Sequence, residues 1–310
     1  MKYCGEMCRI DAQEVSALIK EDPNHLIALS ECDFHQKIEQ VAHQILQEDH
    51  RIILLTGPSS SGKTTTAKLI QRSLAQLGKT VHRISLDNFY KPYDELPRWN
   101  DGYVNYESID GLDVNEFNGL VKQLKETGYA EFPIFDFSIA KRSEKTFSVT
   151  FDESTYIIFE GIHALNPRLA GQFDPSRIFR IYVSVHSDFV DGDGHILLKA
   201  RSLRLLRRIL RDQVHRNSDP VNTLKLWEYV VRGEEDYIKP FRCYADYHLN
   251  SAHAYEPFVY AGRAMRELGG LEDKGPYEAV IDQLLAEISQ FAPVNPALIP
   301  EDSLLREFIS

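Results

Sequence analysis

Between Arg51 and Ile70 the sequence RIILLTGPSSSGKTTTAKLI leaves few folds open to this chain. Ile52 to Leu55 is a short, unbroken apolar run, the pattern of a strand buried on both faces of a parallel sheet. Gly57, four intervening residues, Gly62, Lys63 and Thr64 follow, a complete phosphate-loop pattern. Glycines allow successive backbone N–H groups to converge on phosphate oxygens. The cradle expected for ATP comprises Gly57, Ser59, Ser60, Ser61, Gly62, Lys63, Thr64 and Thr65. Lys63 would reach the outer phosphates, and the Thr64 hydroxyl would ligate Mg²⁺. The segment after it, to Leu77, can form a helix whose N-terminal dipole adds a positive field at the same place. Strand, loop and helix stand in the required order, so the chain is expected to bind a nucleoside triphosphate.

With 310 residues, 43% of them hydrophobic and 26% charged, the chain fits one large α/β domain with additions. A formal net charge of −11 argues against broad nucleic-acid binding. No apolar run reaches the length of a membrane span, and the start lacks the apolar core of a signal peptide. Cys4, Cys8, Cys32 and Cys243 match no zinc spacing and read as reduced thiols of a cytoplasmic protein.

Residues 1 to 33 read as an N-terminal extension, with a short helix over Ala12 to Ile19. A helix is predicted from Phe34 to Gln47, on an apolar stripe of Ile38, Val41, Ile45 and Leu46. The helix after the loop should stop at Gly78, and Thr80 to Ser85 is the next strand, ending in SLDNFY. A carboxylate beyond a strand's C-terminal end lies on the ligand edge of an open α/β sheet, which puts Asp87 near the transferred phosphoryl group or its metal, or else makes it the cap of a turn. Tyr90 to Tyr106 reads as a functional loop, and Asp113 as the cap of a helix through Lys125. Phe135, Asp136 and Phe137 suit an acceptor-site wall and equally an ordinary half-buried strand. The strand Tyr156 to Phe159 ends at Glu160, a second carboxylate placed for Mg²⁺. Arg177 to Val185 is a further strand, and DFVDGDGHI a solvated turn without the ligand series of a calcium loop.

Downstream, KARSLRLLRRILRDQVHR carries two helical faces. Leu203, Leu206, Leu210 and Val214 form a packing face; Arg204, Arg207 or Arg208, and Arg211 share another. Arginine forks suit phosphate oxygens, so this reads as a lid over phosphates, the alternative being an exposed basic helix. Helices over Thr223 to Val231 and Tyr277 to Ser289, and a strand in YHLNSA, complete the pattern.

Taken together, GPSSSGKT, SLDNFY, PIFDF, IIFEGIHALNP and RLLRRILRD resemble the uridine kinase/phosphoribulokinase family, over about residues 34 to 310. VVRGEEDYIKPF and SLLREFI are similar to a bacterial nucleoside-kinase branch whose members often carry a threonyl-tRNA-synthetase-like N-terminal region. The resemblance implies a phosphate-loop kinase domain over 34–310: a three-layer α/β sandwich with a mainly parallel sheet, a small β-rich insertion near 131–152 and an arginine-rich lid helix. It implies Asp87 as the base that takes the nucleoside 5′-hydroxyl proton, Tyr90 and Phe135 beside the nucleoside with Asp136 nearby, and Glu107 on the ribose hydroxyls. Glu160 is implied at Mg²⁺, and Arg204, Arg207 and Arg211 at the sugar or phosphates, Arg204 and Lys63 serving catalysis directly. Where uridine-cytidine kinases place a histidine at the pyrimidine edge, this chain has Ala140, which implies weaker base selectivity or another nucleoside, with Lys141 one substitute contact. The expected reaction is Mg²⁺-ATP-dependent phosphorylation of a small-molecule nucleoside, with no nucleic-acid or membrane partner and a homo-oligomer left open. A kinase of another hydroxylated metabolite, such as a sugar phosphate, and an ATP-binding regulatory protein are the competing readings.

Overall fold

A computed structural model describes residues 7–136, 139 and 141–309. Its strands are β1 (Cys8–Asp11), β2 (Ile52–Thr56), β3 (Thr80–Ser85), β4 (Tyr129–Asp136), β5 (Lys141–Thr150), β6 (Thr155–Glu160), β7 (Ile178–Ser184), β8 (Ser187–Val190), β9 (Ile196–Leu198) and β10 (Tyr247–Asn250). The helices are α1 (Ala12–Glu21), α2 (Pro23–Gln47), α3 (Lys63–Gln76), α4 (Val114–Thr127), α5 (Pro167–Ala170), α6 (Ala200–Arg216), α7 (Pro220–Gly233), α8 (Glu256–Gly269), α9 (Glu278–Ile288) and α10 (Arg306–Ile309).

Five parallel strands in the order β10-β7-β2-β6-β3 make the central sheet. Every residue of β2 and β6 is buried, as continuous apolar runs covered on both faces require. One apolar cluster joins α2, α3, α6, α8 and α9 to one face of the sheet; a second joins α4 and the β4–β5 hairpin to the other, giving three layers. The chain enters the sheet at β2, and β3 lies two places away with β6 between them. That crossover opens a crevice at the strands' C-terminal ends, where open α/β sheets bind ligands.

Several elements depart from the expected bounds. Helix α2 begins at Pro23, with Asp22 capping it through its side chain, so the expected division between residues 33 and 34 falls inside one continuous helix. Strand β1 pairs in parallel with β8, and Ala12, Val15, Leu26 and Ile27 join the main core cluster. The segment expected as a solvated turn supplies strand residues at both ends, since β8 pairs antiparallel with β9 around it. Helix α8 was not foreseen; its Phe258, Val259, Ala261, Ala264 and Leu268 are buried. The expected β-rich insertion is the antiparallel β4–β5 hairpin.

Candidate active site

Strand register builds the site. Glu160, last in β6, pairs with Leu55 of β2 on one side and Ser85 of β3 on the other. Its carboxylate therefore stands between the phosphate loop and the turn bearing Asp87. Glu160 Oε2 lies 3.5 Å from the Thr64 hydroxyl, and Arg83 donates to Oε1 at 3.1 Å. Burial pushes the Glu160 carboxyl up, and the nearby Asp87 charge adds to the shift. Asp87 is likewise raised by burial, against the pull of Lys63. Burial lowers Lys63, opposed by Glu160, Asp87 and Glu307. Facing charges of opposite sign thus oppose the effect of burial at this end of the site.

The loop itself is tightly constrained. A Cβ on Gly57 would lie 2.0 Å from the Val183 carbonyl oxygen, so only glycine fits there. Ser60 at φ 60° and Gly62 at φ 84° are left-handed, the backbone reversal that turns N–H groups into a nest. The buried Ser60 and Ser61 hydroxyls have no hydrogen-bond partner among the described residues, and Ser60 lines the cavity, where a phosphate would supply one.

A cavity of about 950 Å³ runs from this loop to an aromatic wall. Ser59, Ser60, Gly62, Lys63, Thr64, Asp87 and Glu160 line one end; Tyr90, Phe135, Tyr106, Trp99 and Tyr229 line the other, with Glu107 between. Tyr90 and Phe135 meet edge to face at 6.2 Å, and Asn88 accepts from the Phe135 N–H at 3.1 Å, fastening the hairpin to the Asp87 turn. Tyr90 donates to the Tyr106 carbonyl at 2.8 Å. Gly233 of α7 passes so close to Glu107 that a Cβ there would lie 2.1 Å from its Cβ. Glu107 Oε2 is buried and without a hydrogen-bond partner among the described residues, and burial pushes this carboxyl up to about 7.

Two expected arginines lie elsewhere. Arg204 pairs with Glu234 beneath Trp227, and Arg207, with no exposed surface, pairs with Glu256; neither lines the cavity. Helix α6 is buried on the arginine face as well as the leucine face, so its middle arginines are matched by acids from α7 to α8. Val214, expected in the packing face, is exposed and lines the cavity. Of the predicted trio Arg211 lies on the cavity wall, bonded to Asp212 at 2.8 Å. Arg208 and Arg216 join it there, and Arg208 donates to the Ser59 hydroxyl at 2.7 Å. Gly57, Ser61 and Thr65 support the loop without lining the cavity, and Asp136 ends β4 opposite Lys141, also off the wall. Ala140 and Phe137 lie outside the described residues. Trp99, Tyr106, Arg216, Tyr229 and Glu307 were not named as site residues from the sequence, although Trp99 and Tyr106 lie in the loop read as functional and Glu307 lies in SLLREFI. The arginine run contains Arg208 and ends in Arg216, so it could have revealed both, whereas nothing marked Tyr229 within its helix. No helix among the described residues is long and apolar enough to cross a membrane.

Residues 52–255 match the model of the phosphoribulokinase/uridine kinase family. A uridine kinase of Macrococcus caseolyticus is 33% identical over 197 residues, covering 63% of this chain and 85% of its own. Uridine-cytidine kinase B of Dictyostelium discoideum is 30% identical over the same length, covering 63% and 72%. Among solved structures, a possible uridine kinase from Bacillus stearothermophilus aligns at a TM-score of 0.47 and 18% identity, over 70% of this chain and 99% of its own. With its phosphate loop, its Asp87 and Glu160 strand ends and its matched span of residues 52–255, this chain belongs to the phosphoribulokinase/uridine kinase family.

Proposed function

We propose that the protein transfers the γ-phosphoryl group of ATP to the 5′-hydroxyl of a nucleoside. The observation that carries this reading is one continuous cavity, with a phosphate nest and two strand-end carboxylates at one end and an aromatic wall at the other. Phosphoryl transfer needs little covalent chemistry from a protein; positioning and charge neutralisation supply most of the rate. Lys63, Arg208 and Arg211 hold the phosphates, and Asp87, its carboxyl raised by burial, takes the proton of the attacking hydroxyl. Glu107 accepts from the ribose hydroxyls while Tyr90 and Phe135 flank the flat base.

Thr64, Asp87 and Glu160 fit Mg²⁺: all donate oxygen, as that hard cation prefers, and burial raises both carboxyls, a cost that a divalent charge removes. When bound, the ion neutralises charge on the phosphates. The aromatic wall weighs against a bare sugar phosphate as acceptor, and a non-catalytic ATP sensor has no use for Asp87 and Glu160 together.

The test is a screen of uridine, cytidine, adenosine, guanosine and inosine with ATP and Mg²⁺, detecting the 5′-monophosphate. At least one should be converted, with selectivity among bases broader than that of a strict pyrimidine kinase. Turnover of a sugar phosphate alone would favour the metabolite-kinase reading, and ATP binding with no turnover of any acceptor would favour the sensor.

A further inference from the structure

The family match ends at residue 255, yet a turn far beyond it touches the phosphate loop at several points. Leu304 lies against Gly62: a Cβ on that glycine would meet Leu304 Cδ1 at 2.6 Å. Three residues on, Glu307 accepts from the Thr65 hydroxyl at 2.7 Å and forms part of the cavity wall. One further, the Phe308 ring covers the Arg207 guanidinium, 4.9 Å away. Arg207 Nη1 in turn donates to the Ser60 carbonyl at 3.4 Å, and Arg207 is held by Glu256 and by Ser251. The i, i+3, i+4 spacing puts all three side chains on one face of a helical turn, and that face is turned to the loop.

The loop needs such support. Ser60 is a non-glycine residue in the left-handed region, a conformation that persists only where its surroundings enforce it. Leu304 and Phe308 have no exposed surface, so they can supply that enforcement. Glu307 differs in kind. Its carboxylate sits at the N-terminal turn of α3, where a bound nucleotide presents its own negative charges, and it is one of the acids acting on Lys63. A fixed anion there competes with phosphate for the same donors.

We propose that the C-terminal turn is a built-in part of the nucleotide site: Leu304 and Phe308 brace the phosphate loop, and Glu307 lowers its affinity for the triphosphate by holding a negative charge against Thr65. This rests on the nucleotide-binding reading above and assigns positioning residues that lie beyond residues 52–255, which the family model matches.

The test is direct titration of the full chain with Mg²⁺-ATP and, separately, with the best nucleoside of the screen. Glu307→Gln keeps an oxygen acceptor for Thr65 and removes the charge. ATP should bind about threefold or more tightly, an advantage that shrinks at high salt as charge effects are screened, while nucleoside affinity stays unchanged. Phe308→Leu keeps an apolar side chain but loses the ring over Arg207; ATP should bind about threefold or more weakly at unchanged nucleoside affinity. Equal or weaker ATP binding in Glu307→Gln, or nucleoside affinity moving in step with ATP, would overturn the charge role. Unchanged ATP binding in Phe308→Leu would overturn the bracing role. A wild-type chain that binds no ATP would instead remove the nucleotide-binding reading itself.

Discussion

Glu107 shows how one residue can be legible in sequence while its chemistry is not. The family resemblance implies an acidic group on the ribose at its place in NYESID, but its raised pKa comes from burial, to which Gly233, more than a hundred residues away, contributes by passing close to it. With one oxygen buried and unpartnered among the described residues, the carboxyl is pushed up to about 7. The ionised form accepts through both oxygens, whereas protonation turns one of them into an O–H donor. Below its pKa the group is protonated and above it ionised, so kcat/KM for the nucleoside should rise as pH passes through about 7. Glu107→Gln should lower kcat/KM and flatten that limb, with ATP affinity unchanged. A pH profile identical in the variant would remove Glu107 from nucleoside binding. The same divide between residue type and environment separates the arginines. Periodicity places Arg204, Arg207, Arg208 and Arg211 on related faces, yet it cannot say which will meet an acid from another helix.

At the scale of elements, α6 is the instructive case. A leucine stripe opposite an arginine stripe reads as amphipathic, one face in the core and one in solvent. The helix is instead buried on both, because Glu234 at the end of α7 and Glu256 at the start of α8 reach it from each side. Neither acid could be paired with it from local pattern, and α8 itself went unseen. Strands β2 and β6, by contrast, were legible nearly to the residue, since continuous apolar runs stopped by Gly57 and by Glu160 leave little choice of bounds, and β3, although its TVHRIS is mixed, has its expected bounds Thr80 to Ser85. The burial of α6 carries a prediction. Arg207→Ala strands the Glu256 carboxylate in the core, and removing one member of a buried pair costs about 3–5 kcal/mol. Arg211→Ala, on the cavity wall, should cost far less stability and weaken ATP binding instead. Urea denaturation and ATP titration of the two variants separate these roles; an Arg207→Ala protein as stable as wild type would mean that the pair contributes nothing.

The whole molecule is tied together by its two ends, which sequence motifs represent least. Glu31 of α2 is buried and accepts from the Tyr255 hydroxyl and, at 2.6 Å, from the Ser303 hydroxyl, so the first long helix holds both the start of α8 and the C-terminal turn. That turn reaches the phosphate loop. A division at residue 34 suggested itself because the matched motifs lie beyond it, whereas Asp22 and Pro23, which start α2, are too weak a signal to move the boundary unaided. A chain starting at residue 34 would lose β1 from its sheet and Val15, Leu26 and Ile27 from the main core cluster. Full burial of each such side chain is worth about 1.5–3 kcal/mol, together comparable with the whole stability of a typical domain, about 5–15 kcal/mol. The loss of Glu31 would also leave the buried Tyr255 and Ser303 hydroxyls without their acceptor, adding about 1–3 kcal/mol for each. The truncated chain should therefore fail to give a cooperative thermal transition, while the full chain melts in one step that includes its N-terminal helices. Calorimetry of both chains decides it. A truncated protein that melts cooperatively near the full-length temperature would make residues 1–33 a separable extension after all, and Glu31 an incidental neighbour of the C-terminal turn.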